Sequence, residues 1–546
     1  MDNVKILISN PDFEMVMTDH LVWIVSALNA KEIKNYITGF RGHRRDLENA
    51  LIHFADDACV IKVEKVNGQP QIIQGFRSIT SQYELYYLID SFGDFVLTDS
   101  FRNAISQLNI KDRIESKVSF YDHLIFPFLF SHHTYVERIK RLGKGEVMKY
   151  NVKNKRYTTH IVQKLNLTNS NLNVKEAMIK LDQELLSVTN NLINGKNSIA
   201  NLLSGGIDST LIQTFLPSYL PSVTIGMDST ELVSEIENAK EASSLLHTNH
   251  HEFVLKEEEY FNSLESTIDA LGFPPINPHH VLFDAIFKEA PYTTYISGNK
   301  AGSLFGENLI KDAYLINKKR TSYHLLKELQ MDTENPSGYA VRRFLNSPNL
   351  DMVMDVLGEN IVQERMVNRL SYVRDRIIVD QNEENKLFAH CELGSMINYF
   401  CGDAMSIWRQ LAYLNRKTIY SPFVSQRIAS ISVAIPASKR YFSEEKWEAK
   451  YILKELLKRK LPLYNRNKKK GLEEISKAKF CQTVPLHVVN QKYNFPEILE
   501  TTHRKLVLNP TLETNNIVTA LITYAIWQKR ILKNPNITII PGTKVL

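Results

Sequence analysis

The spacing of hydrophobic residues changes character along these 546 residues. Up to residue 165, short apolar runs are separated by polar turns: Ala58-Cys59-Val60-Ile61-Lys62-Val63, Ile72-Ile73-Gln74-Gly75-Phe76, Glu84-Leu85-Tyr86-Tyr87-Leu88-Ile89 and Gly93 to Asp99. Runs of that length and composition predict strands, and together a β-rich domain over 1–165. The polar stretch Lys164 to Asn173 predicts a linker. Val174 to Asn191 is amphipathic at helical spacing and opens a second domain, 174–546. Strand-like and helix-like runs then alternate to about residue 310, which predicts an α/β core. From Ile361 to the C-terminus the pattern is mostly helical.

Composition adds bounds. Hydrophobic residues make up 43% and charged residues 23%, ordinary for a globular chain that builds its own core. The four cysteines (Cys59, Cys391, Cys401, Cys481) show no CxxC spacing, so neither a disulfide framework nor a zinc site is expected. Met1-Asp2-Asn3 opens without a basic segment, and no long apolar window follows. A cytoplasmic protein with no membrane partner is expected. A net charge of +6 is too small for this length to indicate nucleic acid. The pairs His132-His133, His250-His251 and His279-His280 lack the spacing that puts two ligands on one helix face, so they read as structural. Trp408, beside Arg409 in a helical region, reads as core, with a place lining the substrate pocket as the alternative.

The chemistry is concentrated in Ser204-Gly205-Gly206-Ile207-Asp208-Ser209-Thr210. This stretch lies between a strand-like run, Ser198 to Leu203, and a helix-like run, Leu211 to Leu216. Two glycines let backbone approach an anion closely, and the helix start presents N–H groups to it. Ser204, Ser209 and Thr210 offer hydroxyls, and Asp208 offers a hard oxygen ligand for Mg²⁺. No Gly-Lys-Ser/Thr follows, so this is not a Walker loop.

The loop resembles the pyrophosphate-binding SGGxDS signature of ATP pyrophosphatases, and further segments extend the likeness in order. They are Val223 to Asp228, Glu235 to Ala242, Leu245 to Glu252, Phe273-Pro274-Pro275, Ile296 to Gly306, Tyr420-Ser421-Pro422-Phe423, Ile435-Pro436, Lys450 to Leu453 and Lys468 to Leu472. Taken together they resemble the asparagine synthetase superfamily over most of the chain. Leu142 to Val147 resembles the turn near the end of that superfamily's N-terminal domain. The resemblance implies an α/β chain. An N-terminal Ntn-hydrolase-like αββα sandwich would precede an ATP-pyrophosphatase parallel-sheet domain with a helical C-terminal part. It also implies ATP and Mg²⁺. Backbone near Leu203 and Met227 would border adenine. Ser204, Gly205, Gly206, Asp208, Ser209, Thr210, Gly298 and Lys300 would bind the nucleotide, with Asp208 on the metal. Lys469 would stabilise negative charge during amide formation, and Lys450 would be a second pyrophosphate ligand.

Departures narrow the expected function. Glutamine-dependent members carry Cys at position 2, whose thiol attacks and whose α-amine acts as base; here position 2 is Asp2. Two branches without that Cys, the β-lactam synthetases and the lasso-peptide macrolactam synthetases, take their amine from the substrate. The family's second metal-binding Asp falls on Gly302, with Glu307 and Asp312 nearby. Asn299 stands where relatives carry Glu, Tyr or His, and an Asn is no general base. The leading expectation is an amide-forming ligase, AMP- and pyrophosphate-forming and without glutaminase activity. It would act in lasso-peptide macrolactam closure, with a precursor peptide or small amino-acid-like substrate and a precursor-processing protease as partners. A β-lactam-type cyclase, a tRNA-modifying enzyme with the same loop, and a catalytically silent scaffold are the alternatives.

Overall fold

The computed structural model describes residues 4–18, 20–39, 55–126, 129–130, 132–167, 172–228, 233–277, 279–306, 353–354, 357–378, 396, 399–400, 402–443, 446–464, 492–493 and 512–546. Two sheets form the N-terminal part. In one, β1 (Val4–Ile8) runs parallel to β7 (Phe95–Thr98), followed by β6 (Tyr86–Ile89) and β8 (Lys140–Arg141). The other is antiparallel, in the order β10 (Arg156–Ile161), β9 (Glu146–Asn151), β5 (Gln69–Arg77), β4 (Cys59–Val66), β3 (Leu21–Ser26), β2 (Glu14–Thr18).

Side-chain alternation builds the layers. Ile6, Ile8, Val22, Ile24, Ile61 and Tyr150 meet between the two sheets. Their neighbours Trp23, Val25 and Val60 face the other way and pack on Ile33 and Ile37 of the helix Ala30–Gly39. On the first sheet, Leu7, Tyr86 and Leu88 turn outward into the core shared with the helices Phe101–Ser106 and Lys117–Ile125 and with the rest of the chain. The result is the helix–sheet–sheet–helix order of an Ntn-like sandwich.

The segment predicted as a linker is partly structured. Leu165–Asn166 forms β11, which pairs in parallel with β16 (Ile377–Ile378). The side chain of Gln163 accepts from Ile79 N at 2.8 Å. Asn173 caps the helix Val174–Ile193, accepting from Glu176 N at 3.0 Å.

The second sheet system is five-stranded and wholly parallel. Its order is β14 (His250–Leu255), β13 (Ser222–Met227), β12 (Ile199–Leu202), β15 (Thr294–Ile296), β17 (Thr418–Tyr420). The chain moves outward from β12 through β13 to β14, then returns to place β15 and β17 on the other side. The strand order therefore reverses between β12 and β15, and a crevice opens outside their carboxyl ends. β17 lies in the stretch read as helical; at three residues it is too short to show an alternation.

Candidate active site

The phosphate-loop segment leaves β12 at that crevice. Leu203 N donates to Val223 O at 2.8 Å, and the Leu203 carbonyl accepts from the Thr224 hydroxyl. Leu203 and Met227, at the ends of adjacent strands, are both buried. The chain then turns through Ser204 to Gly206 into the helix Ile207–Gln213. Gly205 has φ +69°, and a Cβ there would collide with the backbone of Asn238, so only glycine fits. Gly206 is the N-cap and supplies no side-chain cap.

The hydroxyls of Ser204 and Ser209 bond within the loop. Ser204 Oγ lies 3.1 Å from Ser209 Oγ, and Ser204 N donates to Ser209 Oγ at 3.2 Å. Gly206 N donates to Ser204 Oγ at 3.3 Å. Both serines thus hold the loop's own shape. Thr210, one helical step further, is fully buried, so its hydroxyl does not face the open side. Ser204 and Gly206 are exposed and Asp208 is half-buried, which defines that open side.

Asp208 is the charged centre of the loop. Its Oδ2 accepts from Lys450 Nζ at 2.6 Å. Its Oδ1 is buried and has no hydrogen-bond partner among the described residues. Lys450 reaches it from an αL residue, φ +59°, just before the helix Tyr451–Lys460, and its N–H is fixed on Phe305 O at 2.9 Å. From the neighbouring strand, β15, the chain passes Gly298, where a Cβ would stand 2.8 Å from the Asp208 backbone. Small size at 298 is what lets the two loops touch. A Mg²⁺ on a nucleotide takes one or two carboxylates and otherwise phosphate oxygens and water. One buried carboxylate oxygen without a partner among the described residues, beside a glycine cradle and a lysine, fits that requirement.

Lys300 follows Gly298 by two residues, at the start of the helix Ala301–Phe305. Its Nζ donates to Gly402 O at 2.6 Å and Tyr399 O at 3.3 Å, so the ammonium is held on backbone carbonyls. Lys450, by contrast, contacts the loop through Asp208. Gly302 sits inside the short helix Ala301–Phe305, buried. Asn299 is anchored by its carbonyl, which accepts from Ser421 Oγ at 2.7 Å. Lys468, Lys469, Lys470, Glu307, Asp312 and Asp2 lie outside the described residues. Among the described residues, no three His, Cys, Asp or Glu side chains gather as a metal site.

Two contacts had no signal in the sequence. The Tyr464 hydroxyl donates to the Gly205 carbonyl and braces the loop from behind. Arg409 pairs with Asp57 of the N-terminal sandwich, Nη2 to Oδ2 at 2.8 Å, over the ring of Tyr83. Trp408 is core, stacked on Phe283 at 3.9 Å with its Nε1 donating to His280 Nδ1 at 3.0 Å.

A parallel sheet with a glycine-rich loop, an aspartate and a distant lysine at its switch point defines a class of nucleotide-site proteins, and comparison with known proteins agrees. The family model described as asparagine synthase matches residues 181–484. The chain therefore belongs to the asparagine synthase family. It is also similar to "Asparagine synthetase [glutamine-hydrolyzing] 1" of Bacillus subtilis (strain 168), with 31% identity over 113 residues, 20% of this chain and 18% of the relative. No helix among the described residues is long and apolar enough to cross a membrane.

Proposed function

We propose that this chain is an ATP-dependent ligase that adenylylates a substrate carboxylate and closes an amide with a substrate amine. The observation that carries the reading is the Gly205 cradle with the Asp208–Lys450 pair on its open face. ATP would supply the adenylyl group, and Mg²⁺ would neutralise pyrophosphate charge through Asp208. The chain's own part is positional and electrostatic: the loop backbone seats phosphate, Lys450 adds fixed positive charge, and Lys469 would meet the charge that builds during amide formation.

Macrolactam closure of a lasso-type precursor peptide is the finer reading, with a processing protease as the partner that frees the amine. It is supported by the lack of any cysteine before Cys59, which is buried in the sheet core with its thiol pushed up by burial. Asn299, in place of a proton-handling side chain, supports the macrolactam over the β-lactam branch. The test is incubation with ATP, Mg²⁺ and protease-treated candidate precursors, read by mass spectrometry. A product lighter than the precursor by one water, with AMP and pyrophosphate released, is expected. A folded protein that binds ATP but releases no pyrophosphate with any carboxylate would overturn the reading in favour of a silent scaffold.

A further inference from the structure

One peptide decides what an anion meets at the phosphate loop, the one between Gly205 and Gly206. A trans peptide is planar, so its C=O and N–H point in opposite directions, and no described peptide bond is cis. The Gly206 N–H lies on the exposed side, where it donates to Ser204 Oγ at 3.3 Å, a long bond that leaves the donor available. The Gly205 carbonyl faces the interior, where it accepts from the Tyr464 hydroxyl. Tyr464 is buried, and burial raises its pKa, so the hydroxyl keeps its proton at neutral pH.

Glycine on both sides makes this the peptide of the loop that turns over most readily, because no Cβ opposes rotation on either side of it. Turned over, it would present its carbonyl oxygen to the open side, and an anion would meet the negative end of the dipole. The Asn238 backbone fixes position 205 as glycine but does not set which way the peptide faces. Tyr464 does. A buried carbonyl that loses its donor is costly, and turning over would return that carbonyl to water. The helix Tyr451–Lys460 delivers the tyrosine: Leu461 N donates to Leu457 O at 2.7 Å, and Tyr464 N to Leu461 O at 3.2 Å. Lys450, just before the same helix, holds Asp208.

The geometry points to Tyr464 as a positioning residue for phosphate binding, whose hydroxyl locks the Gly205–Gly206 peptide with its N–H on the open side. The helix that delivers it also sets that N–H relative to the Asp208 carboxylate, through Lys450 at its start and Tyr464 past its end. The tyrosine meets the loop from the buried side and acts through the backbone, not on a ligand. This role rests on the nucleotide reading proposed above, and it supplies the residue that keeps the loop's central N–H directed at phosphate.

Gly205-Gly206 is the only Gly-Gly pair in the sequence, which gives the test a direct probe. In full chain grown on glycine labelled with carbon-13 at the carbonyl and with nitrogen-15, an NMR spectrum correlating each amide with the preceding carbonyl contains one signal, from this peptide. Titration with magnesium pyrophosphate should move that signal to saturation in wild type. Tyr464→Phe keeps the ring and its packing. Its carbonyl frequency should differ from wild type before any ligand is added, and pyrophosphate should bind about tenfold more weakly. Its Tm should stay close to that of wild type. A merely structural role would lower the Tm and leave the signal and the affinity where they were. An unmoved signal with equal affinity in folded Tyr464→Phe overturns the role of Tyr464 and leaves the nucleotide reading standing. A wild-type signal that responds to neither pyrophosphate nor ATP removes the nucleotide reading, and this role with it.

Discussion

At the scale of single residues, the two carboxylate oxygens of Asp208 have different surroundings. One is fixed on Lys450, and the other, buried without a partner among the described residues, is the oxygen to which the proposed function assigns Mg²⁺. Asp208→Ala should lower pyrophosphate release by about 100-fold or more, because charge stabilisation supplies much of such acceleration. Its circular dichroism and Tm should stay close to wild type, since the pair is partly solvated and surface pairs stabilise little. Gly205→Ala is harsher: the φ of +69° and the Asn238 backbone both oppose a Cβ. It should cost about 1–3 kcal/mol by denaturant titration and abolish ATP binding in calorimetry. The two loop glycines and Asp208 were legible because the motif is local. The family resemblance pointed to Lys450 as a pyrophosphate ligand, but its contact with Asp208 was not legible. Residues 242 positions apart leave no trace in local spacing. Tyr464 left none either, because a single Tyr in a polar stretch carries no period.

At the scale of elements, the sequence shows what is long or strongly periodic. The helix Val174–Ile193 and strands β4 to β7 fall where their patterns put them. β11 and β17 were missed because two or three residues cannot express an alternation, and their identity comes from the partner strand. The C-terminal helix Leu512–Trp527 closes the shared core. Its Trp527 is fully buried, with Nε1 donating to Gly272 O at 2.8 Å, and His123 Nε2 contacts Ala520 O at 2.8 Å. Trp527→Ala should cost about 3–5 kcal/mol, seen as a lower denaturant midpoint with unchanged slope.

At the scale of the whole molecule, buried charge joins the sandwich to the parallel-sheet part. Arg409 pairs with Asp57. Asp56 accepts from Gln426 N at 2.6 Å and Ser425 Oγ at 2.8 Å. Asp57→Ala strands a buried guanidinium and should cost about 3–5 kcal/mol, with the single calorimetric transition splitting in two. Burial pushes Asp56 up to about 7 from 3.8, so the folded chain holds a proton there that the unfolded chain has released. That contribution is fully present below about pH 4 and is lost as pH rises through about 7. The Tm of wild type should therefore fall more than that of Asp56→Asn between about pH 5 and 8.

The central claim is that the Gly205–Asp208 loop seats ATP for cleavage between the α- and β-phosphates. Incubation with ATP, Mg²⁺ and an accepted carboxylate substrate, with the nucleotide products separated, tests it most directly. The account predicts AMP and pyrophosphate in equal amounts, both lost in Asp208→Ala. ADP and inorganic phosphate, or unchanged AMP formation by Asp208→Ala, would contradict it.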